Sequence, residues 1–433
     1  MPIKSVPIAG FKGMDNIREF AIDLAAPRVI LNAAVKPDGK IKKRQGYTKL
    51  LSLTAGHSLG VVTPFMLLAD GTTLYSSNGI TKTALGSIGL PQEPLSYTEV
   101  NELVYMSNSV WNGILDLRTN TLRDWGISIP EQPVLSLVAG NLPPGKYSVC
   151  TTNFVGGRIS GNSSIAEITL VAEGGISVSN LPSGGAVWLT EPYGTDLLFG
   201  GFLGTVVAMP SQTDLLPSLW CQPPPKLENI ALGHGRMWGS VKEFLYYSFP
   251  LSYELFRVAS DFFYFPSPVT MVAPVSGGIF IGFEKETVFM SGKKVSEMFP
   301  IKVGDGVVPG SLAYADNFGN YKNNSISMLG NLDYAIPVWM GRFGIFAGMH
   351  NGSMIELTSR RLRYDVGKKA AALFRMSEGQ PQYLVGTAPG NTIGFGDSVT
   401  CEVIRNGRVF LGDFEDHSND WVGLAEIVSA EIT

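Results

Sequence analysis

The sequence predicts an all-β protein, a β-propeller of five to seven blades interrupted by an immunoglobulin- or fibronectin-like β-sandwich. Three observations lead there. The 433 residues include 50 glycines and 27 prolines. Apolar residues recur in short alternating runs, with few long stretches at the helical period. One motif, a hydrophobic strand, a polar turn and a second strand, returns along much of the chain.

The first hairpin is expected where Asp38-Gly39 separates Val35 from Ile41, because glycine accepts the positive φ of a tight turn. Arg18 to Ala26 before it is expected as a short helix or an extended arm. Blade-like hairpins follow at Met66–Tyr75, Leu103–Asp116 and Arg236–Tyr247. Two more run from Gly278 to Met290 and from Gly344 to Leu357. Each reads as the middle pair of a four-stranded blade. The step from Gly235 to Gly278 matches the roughly 40–45 residues of one propeller blade. The next step is longer, and Asn317 to Asn331 reads as an inserted loop. A lone hairpin cannot bury both faces, so copies stacked round an axis are the natural solution.

The series breaks between Pro130 and Pro225. Pro130-Glu131-Gln132-Pro133 and Pro223-Pro224-Pro225 bracket the break as stiff linkers. Between them, short alternating strands such as Tyr147–Val149, Ala166–Leu170 and Ala186–Leu189 alternate with Gly, Asn and Ser turns, which suits a sandwich. The expected organisation is an arm and first blades over 1–130, the sandwich over 131–225, further blades over 226–360, and a C-terminal extension over 361–433. In that extension Gly367 to Met376 reads as a short helix, followed by strands at Gln382–Val385 and Val399–Phe410.

Charged residues make up only 16% of the chain against 45% hydrophobic, which points to a surface partly covered by partners. A net charge of −4 argues against a general nucleic-acid binder. Three scattered cysteines, Cys150, Cys221 and Cys401, give neither a disulfide framework nor a zinc site, and read as thiols made in a reducing cytoplasm. No apolar run is long enough for a transmembrane helix, and Met1 to Gly13 lacks a signal-peptide core.

The same sequence offers little chemistry. Its four histidines, His57, His234, His350 and His417, lie far apart without metal-ligand spacing. No nucleophile elbow or phosphate-binding loop occurs. Gly304-Asp305-Gly306 lacks the run of acidic ligands a calcium loop needs. Asp413-Phe414-Glu415-Asp416-His417 reads as a solvated surface. Propeller glycosidases set two acids about 5–10 Å apart. Here Glu284, Glu286, Asp305, Asp316 and Asp333 read as turn and solvent residues, so no catalytic residue, metal or cofactor is assigned.

Two features stand out as contact surfaces. Tyr246, Tyr247, Phe249, Tyr253, Phe262 and Phe263 belong to an aromatic-rich stretch that serves the blade core, an interface, or both on different faces. Lys40, Lys42, Lys43 and Arg44 form one basic cluster; Arg360, Arg361, Arg363, Lys368 and Lys369 form another. If either faces a lumen it touches DNA phosphates by charge alone. Otherwise each is a solvated face or pairs with an acidic neighbour.

Gly13-Met14-Asp15-Asn16, the Asp38-Gly39 hairpin and Lys43-Arg44-Gln45-Gly46-Tyr47 resemble the start of β-propeller tail proteins of double-stranded DNA bacteriophages. Those families include packaged-DNA stabilisation proteins and tail nozzle or hub proteins. Leu142–Tyr147, the Gly235-Arg236-Met237-Trp238…Tyr247-Ser248 blade and the Trp339…Gly344-Ile345…Leu357-Thr358 blade are similar too, so the resemblance spans roughly 13–385. It implies a non-enzymatic structural virion protein, made in the host cytoplasm and built into the tail as a homo-oligomer. Its implied neighbours are other tail or portal-proximal proteins, with non-specific contact to packaged DNA. The alternative is a host-receptor or glycan-binding tail module using aromatics such as Trp111, Trp188 and Trp238. A glycosidase would need paired carboxylates at the propeller mouth.

Overall fold

In the computed structural model the chain is a β-propeller carrying an inserted β-sandwich. The structure describes residues 33–35, 40–43, 51–62, 65–89, 94–211, 214–315, 335–358, 369–377, 380–387, 398–405 and 408–415. The proposed arm or helix at 18–26 and the loop at 317–331 lie outside them.

β1 (Ala33–Val35) and β2 (Ile41–Lys43) pair antiparallel with Val35 opposite Ile41, which is the first expected hairpin. The first four-stranded sheet follows in chain order: β3 (Gly56–Val62), β4 (Phe65–Asp70), β5 (Thr73–Ser77) and β6 (Lys82–Ser87). The second repeats it with β7 (Ser96–Val100), β8 (Leu103–Ser107), β9 (Asn112–Asp116) and β10 (Thr121–Asp124). Each is an up-and-down meander, the pattern of a propeller blade.

The insert comes next. β11 (Leu135–Leu142), β16 (Gly174–Val178) and β19 (Thr205–Val206) make one sheet. β15 (Ala166–Leu170), β12 (Gly145–Thr152), β17 (Ala186–Leu189) and β18 (Leu198–Gly201) make the other. Tyr147, Val149, Ile176, Val187, Leu189 and Val206 fill the space between them. β13 (Phe154–Val155) and β14 (Arg158–Ile159) form a separate hairpin, turned by Gly156 and Gly157 at φ 58° and 77°. A side chain at either position would be strained.

Blades then resume. The third is β20 (Glu228–Gly233), β21 (Arg236–Val241), β22 (Phe244–Tyr247) and β23 (Phe262–Tyr264). The fourth is β24 (Met271–Val275), β25 (Gly278–Gly282), β26 (Glu286–Ser291) and β27 (Phe299–Asp305). The fifth is β28 (Ala313–Ala315), β29 (Ile336–Met340), β30 (Ile345–Gly348) and β31 (Met354–Glu356). The sixth, β32 (Ala370–Ser377), β33 (Gln380–Thr387), β34 (Ser398–Arg405) and β35 (Arg408–Glu415), comes from the segment expected as an extension.

Two expectations need correction. Where a helix is expected over Gly367 to Met376, the described part, Ala370–Ser377, is a strand paired along its length with Gln380–Thr387. Its Ala-rich start favours helix locally, but Tyr383, Leu384 and Val385 are buried against the fifth blade and draw the strand in with them. The hairpin over Gly344–Leu357 pairs the third and fourth strands of its blade rather than the second and third. In the sequence, residues 316–335 separate β28 from β29.

A propeller coheres because each pair of sheets shares a core. Leu67, Leu74, Val104 and Met106 fill the first interface. Tyr105, Trp125, Ile230 and Phe256 fill the second, and Trp238, Leu245, Ile279 and Ile281 the third. Phe280, Phe289 and Trp339 fill the fourth, and Ile345, Tyr383 and Val385 the fifth. Truncating any of the buried aromatics costs about 3–5 kcal/mol through lost burial and the cavity left behind. First strands also adjoin, β7 beside β20, β20 beside β24, and β28 beside β32. Polar ties join neighbouring blades: the Asn229 N–H donates to Ser96 Oγ, and the Tyr383 hydroxyl to the Ser311 carbonyl. β1 runs beside β35, so the two ends of the described chain meet.

Candidate assembly surface

The sequence places the insert between proline linkers, and the structure shows those linkers held fast. Proline has no N–H to donate into a strand ladder, so the carbonyls of the return run draw on side-chain donors instead. Asn112, buried on β9, supplies them: its Nδ2 donates to the carbonyls of Pro224 and Pro225, each at 3.2 Å. Its Oδ1 accepts from Lys226 Nζ at 2.8 Å. Gly126, just ahead of the outgoing linker, stands against Pro223 and Pro224 where no Cβ fits comfortably.

Beyond the linkers, the insert is seated through a third layer. The outer face of β12, β17 and β18 carries Cys150, Ala186 and Trp188, and it is covered by Phe154 and Ile159 of the β13–β14 hairpin and by Leu216 and Leu219. That cover reaches the third blade. Gln222 and Phe256 exchange backbone hydrogen bonds of 2.7 and 2.9 Å. Asn162 Oδ1 accepts from the Trp220 N–H at 2.6 Å, and Ser218 Oγ donates to the Ser160 carbonyl at 2.6 Å. Gly161 packs so tightly that a Cβ would collide with the Cys221 carbonyl oxygen.

The polar centre of this junction is Glu254, in the long loop between β22 and β23. Its carboxylate takes Arg158 of β14 and, at 3.3 Å, Arg123 of β10. Sandwich, second blade and third blade therefore meet on one side chain. Burial pushes the Glu254 carboxyl above its usual range, and Arg158 and the Gly126 N–H pull it back only in part. Sequence reading missed Glu254. Its only signal is a carboxylate within an aromatic-rich stretch, which says nothing of two arginines far off in the chain.

The seated insert presents apolar side chains to solvent. Trp188, Phe199, Phe202 and Phe154 form a chain of ring contacts at 5.1–5.4 Å that runs from the buried Trp188 to the exposed Phe202. Leu203 and Val155, next to Phe202 and Phe154 in sequence, are exposed too. Gly201, at φ 117°, and Gly204 flank the Phe-Leu pair at the turn from one sheet to the other.

The sequence-predicted aromatics divide by face. Tyr247 and Phe263 pack on Trp238 toward the fourth blade. Tyr246 and Phe262 group with Phe244 on the opposite face, with the exposed Tyr264 at the edge. Tyr253 packs edge-on against Tyr105 in the second interface, and Phe249 carries the Arg257 guanidinium on its ring at 5.0 Å. All six are half-buried. Of the basic residues, Lys40 is exposed, β2 brings Lys42 and Lys43 into one strand, and Lys369 is exposed. Arg44, Arg360, Arg361, Arg363 and Lys368 lie outside the described residues.

The tryptophans expected as open platforms are not open. Trp188 and Trp238 are buried in cores, and Trp111 is half-buried against the first interface. Among the described tryptophans Trp220 is the exposed one, at φ 61°. The acids read as solvent-facing divide as well: Glu284 is exposed, Glu286 pairs with Lys302 at 2.8 Å, and Asp305 is half-buried. Asp316 and Asp333 lie outside the described residues. Among the described residues no group of three or more His, Cys, Asp or Glu gathers to hold a metal, and no helix is long and apolar enough to cross a membrane.

No protein-family model matches the chain, and no curated protein does. Solved structures similar to it include BBS1N in complex with ARL6DN, at 9% identity and a TM-score of 0.28, covering 86% of this chain and 98% of that one. Kluyveromyces lactis Hsv2p is 6% identical with a TM-score of 0.30, covering 84% and 99%. PorZ, a surface component of the Porphyromonas gingivalis type-IX secretion system, is 11% identical with a TM-score of 0.22, covering 85% and 46%. At these TM-scores the likeness carries no functional argument. The fold rests on the chain's own sheets.

Proposed function

We propose that this protein is a structural component of a bacteriophage tail, a nozzle, hub or tail-closing part that acts through assembly and has no catalytic role. One observation carries the assembly reading: the insert is locked to the second and third blades through Glu254, so Phe202, Leu203 and Val155 stand exposed at a fixed place. A rigid platform with a preset apolar contact loses little entropy on association. The resemblance over residues 13–385 supplies the tail. Copies of the chain would join through two different faces to close a ring, beside tail or portal-proximal neighbours, with the basic clusters meeting DNA by charge.

Mass photometry of the purified protein, with cryo-electron microscopy of the virion that carries it, tests this. A discrete oligomer that Phe202→Ser and Leu203→Ser together dissociate, and symmetric density in the tail, are expected. A stable monomer absent from the tail overturns it.

The exposed Trp220 favours a second reading, a receptor- or glycan-binding tail module. Sugar binding by the monomer, abolished by Trp220→Ser, would move the assignment there.

A further inference from the structure

The third blade carries a pair of cations that form no ion pair with any carboxylate among the described residues. Arg236 lies over the Tyr247 ring at 5.2 Å and donates to the Ser248 carbonyl at 2.6 Å. Arg257 lies over the Phe249 ring at 5.0 Å and donates through Nε to the Leu219 carbonyl at 3.3 Å. Three consecutive residues, Tyr247 to Phe249, thus fix both guanidiniums. Each is half-buried, and neither has a carboxylate oxygen within ion-pair distance among the described residues. The charge of Asp261 acts on Arg236 from beyond ion-pair distance, and its carboxylate accepts from Ser260. Burial chiefly, and Arg257 in addition, lower the proton affinity of Arg236.

Two immobilised guanidiniums with unused donors are an oxyanion receptor, since the planar fork matches a carboxylate's two oxygens. The surroundings say which oxyanion. Leu251 shares the loop with Phe249 and takes its N–H to the Gly235 carbonyl, next to Arg236. Trp220 follows Leu219, the residue that Arg257 grips. Leu251 and Trp220 are 76% and 60% exposed, and both hold positive φ, 56° and 61°. A bulky side chain that is exposed and also in the left-handed region is unfavourable on two counts, and such positions gather at binding sites.

We infer that Arg236 and Arg257 bind a carboxylate-bearing segment of a partner protein, whose apolar side chains rest on Leu251 and Trp220. Exposed apolar residues stand next to each cation's own anchor, Leu251 bonded to Gly235 beside Arg236 and Trp220 adjoining Leu219, and they suit a peptide with alternating acidic and apolar residues, whereas a free phosphate would leave them unused. The site goes beyond the assembly reading, which places its contacts on the insert.

The test is fluorescence anisotropy of the full-length protein with a labelled peptide of leucines flanked by glutamates, repeated with inorganic phosphate as competitor. Saturable binding that weakens with salt is expected, with Arg236→Gln losing about ten-fold or more. Leu251→Asn should also weaken it, and asparagine suits the left-handed backbone, so this variant reports on the site even if Arg236→Gln misfolds. Lys293→Gln, on the next blade, should change nothing. No binding, binding by both site variants as tight as that of the unaltered protein, or phosphate that displaces the peptide at its own lower concentration overturns the proposal. A ring that assembles without binding the peptide overturns this site and leaves the assembly reading standing.

Discussion

Arg158, on the short hairpin of the insert, donates to the carboxylate of Glu254 in the outer loop of the third blade. The side chain of Glu254 is 15% exposed and that of Arg158 30%, so the pair is largely shielded from screening. Removing one partner of such a pair leaves the other charge buried.

Arg158→Met keeps the apolar stem and removes the charge. It should cost about 2 kcal/mol at neutral pH, read by denaturant unfolding. Without Arg158 the Glu254 carboxyl moves further above its usual range. A raised carboxyl stabilises the fold below its unfolded value and loses that stability as pH rises through the folded one. The defect should therefore shrink on mild acidification and grow toward neutrality. A pH-independent defect would mean the arginine acts by packing alone.

Asn112→Ala strips two proline carbonyls and Lys226 of their partner. A loss of about 2 kcal/mol is expected, with the return linker opened to protease. Limited proteolysis followed by mass spectrometry should show new cleavage near Lys226.

Asp70 shifts the other way. Desolvation works to raise its carboxyl, but N–H bonds from Ala55 and Thr54 and the Lys82 ammonium at 2.9 Å outweigh it, so the group sits below the usual carboxylate range. A depressed carboxyl stabilises the fold above its unfolded value and loses that as pH falls through the folded one. Asp70→Asn should cost about 1 kcal/mol near neutrality and vanish as a difference in acid. Acid titration of both proteins by circular dichroism checks this.

Cys150 is buried beside Trp188 in the outer core of the insert, and burial pushes its thiol up to about 12. Only the thiolate is nucleophilic, so the folded protein should leave Cys150 unalkylated at pH 8, while denaturant exposes it. Peptide mapping after iodoacetamide reads the outcome.

Local chemistry made the repeat legible. Asp-Gly at 70–71 and the alternation over Arg236–Tyr247 mark turns and strands without help from the rest of the chain. Proline runs at 130–133 and 223–225 flank the strands of the insert, β11 to β19. What failed was whatever a distant segment decides. Ala370–Ser377 becomes a strand because of what packs on its neighbour, and Glu254 matters because residues 123 and 158 arrive beside it. The aromatic stretch was visible, but its division between two blade faces depends on β22 and β23 pairing, and the open Trp220 follows from how its segment is seated.

The bond from Asn229 to Ser96 spans 133 residues, most of them belonging to the insert. A nascent chain would have to find that contact across a long, slack loop, the kind of encounter that slows folding. The sandwich changes the search. Its ends leave side by side, Gly126 against Pro223, so once it has collapsed on its own the flanking strands are already neighbours. A closure that looks distant along the sequence becomes a short step in time, and the ring can grow past the interruption in the order in which it is synthesised.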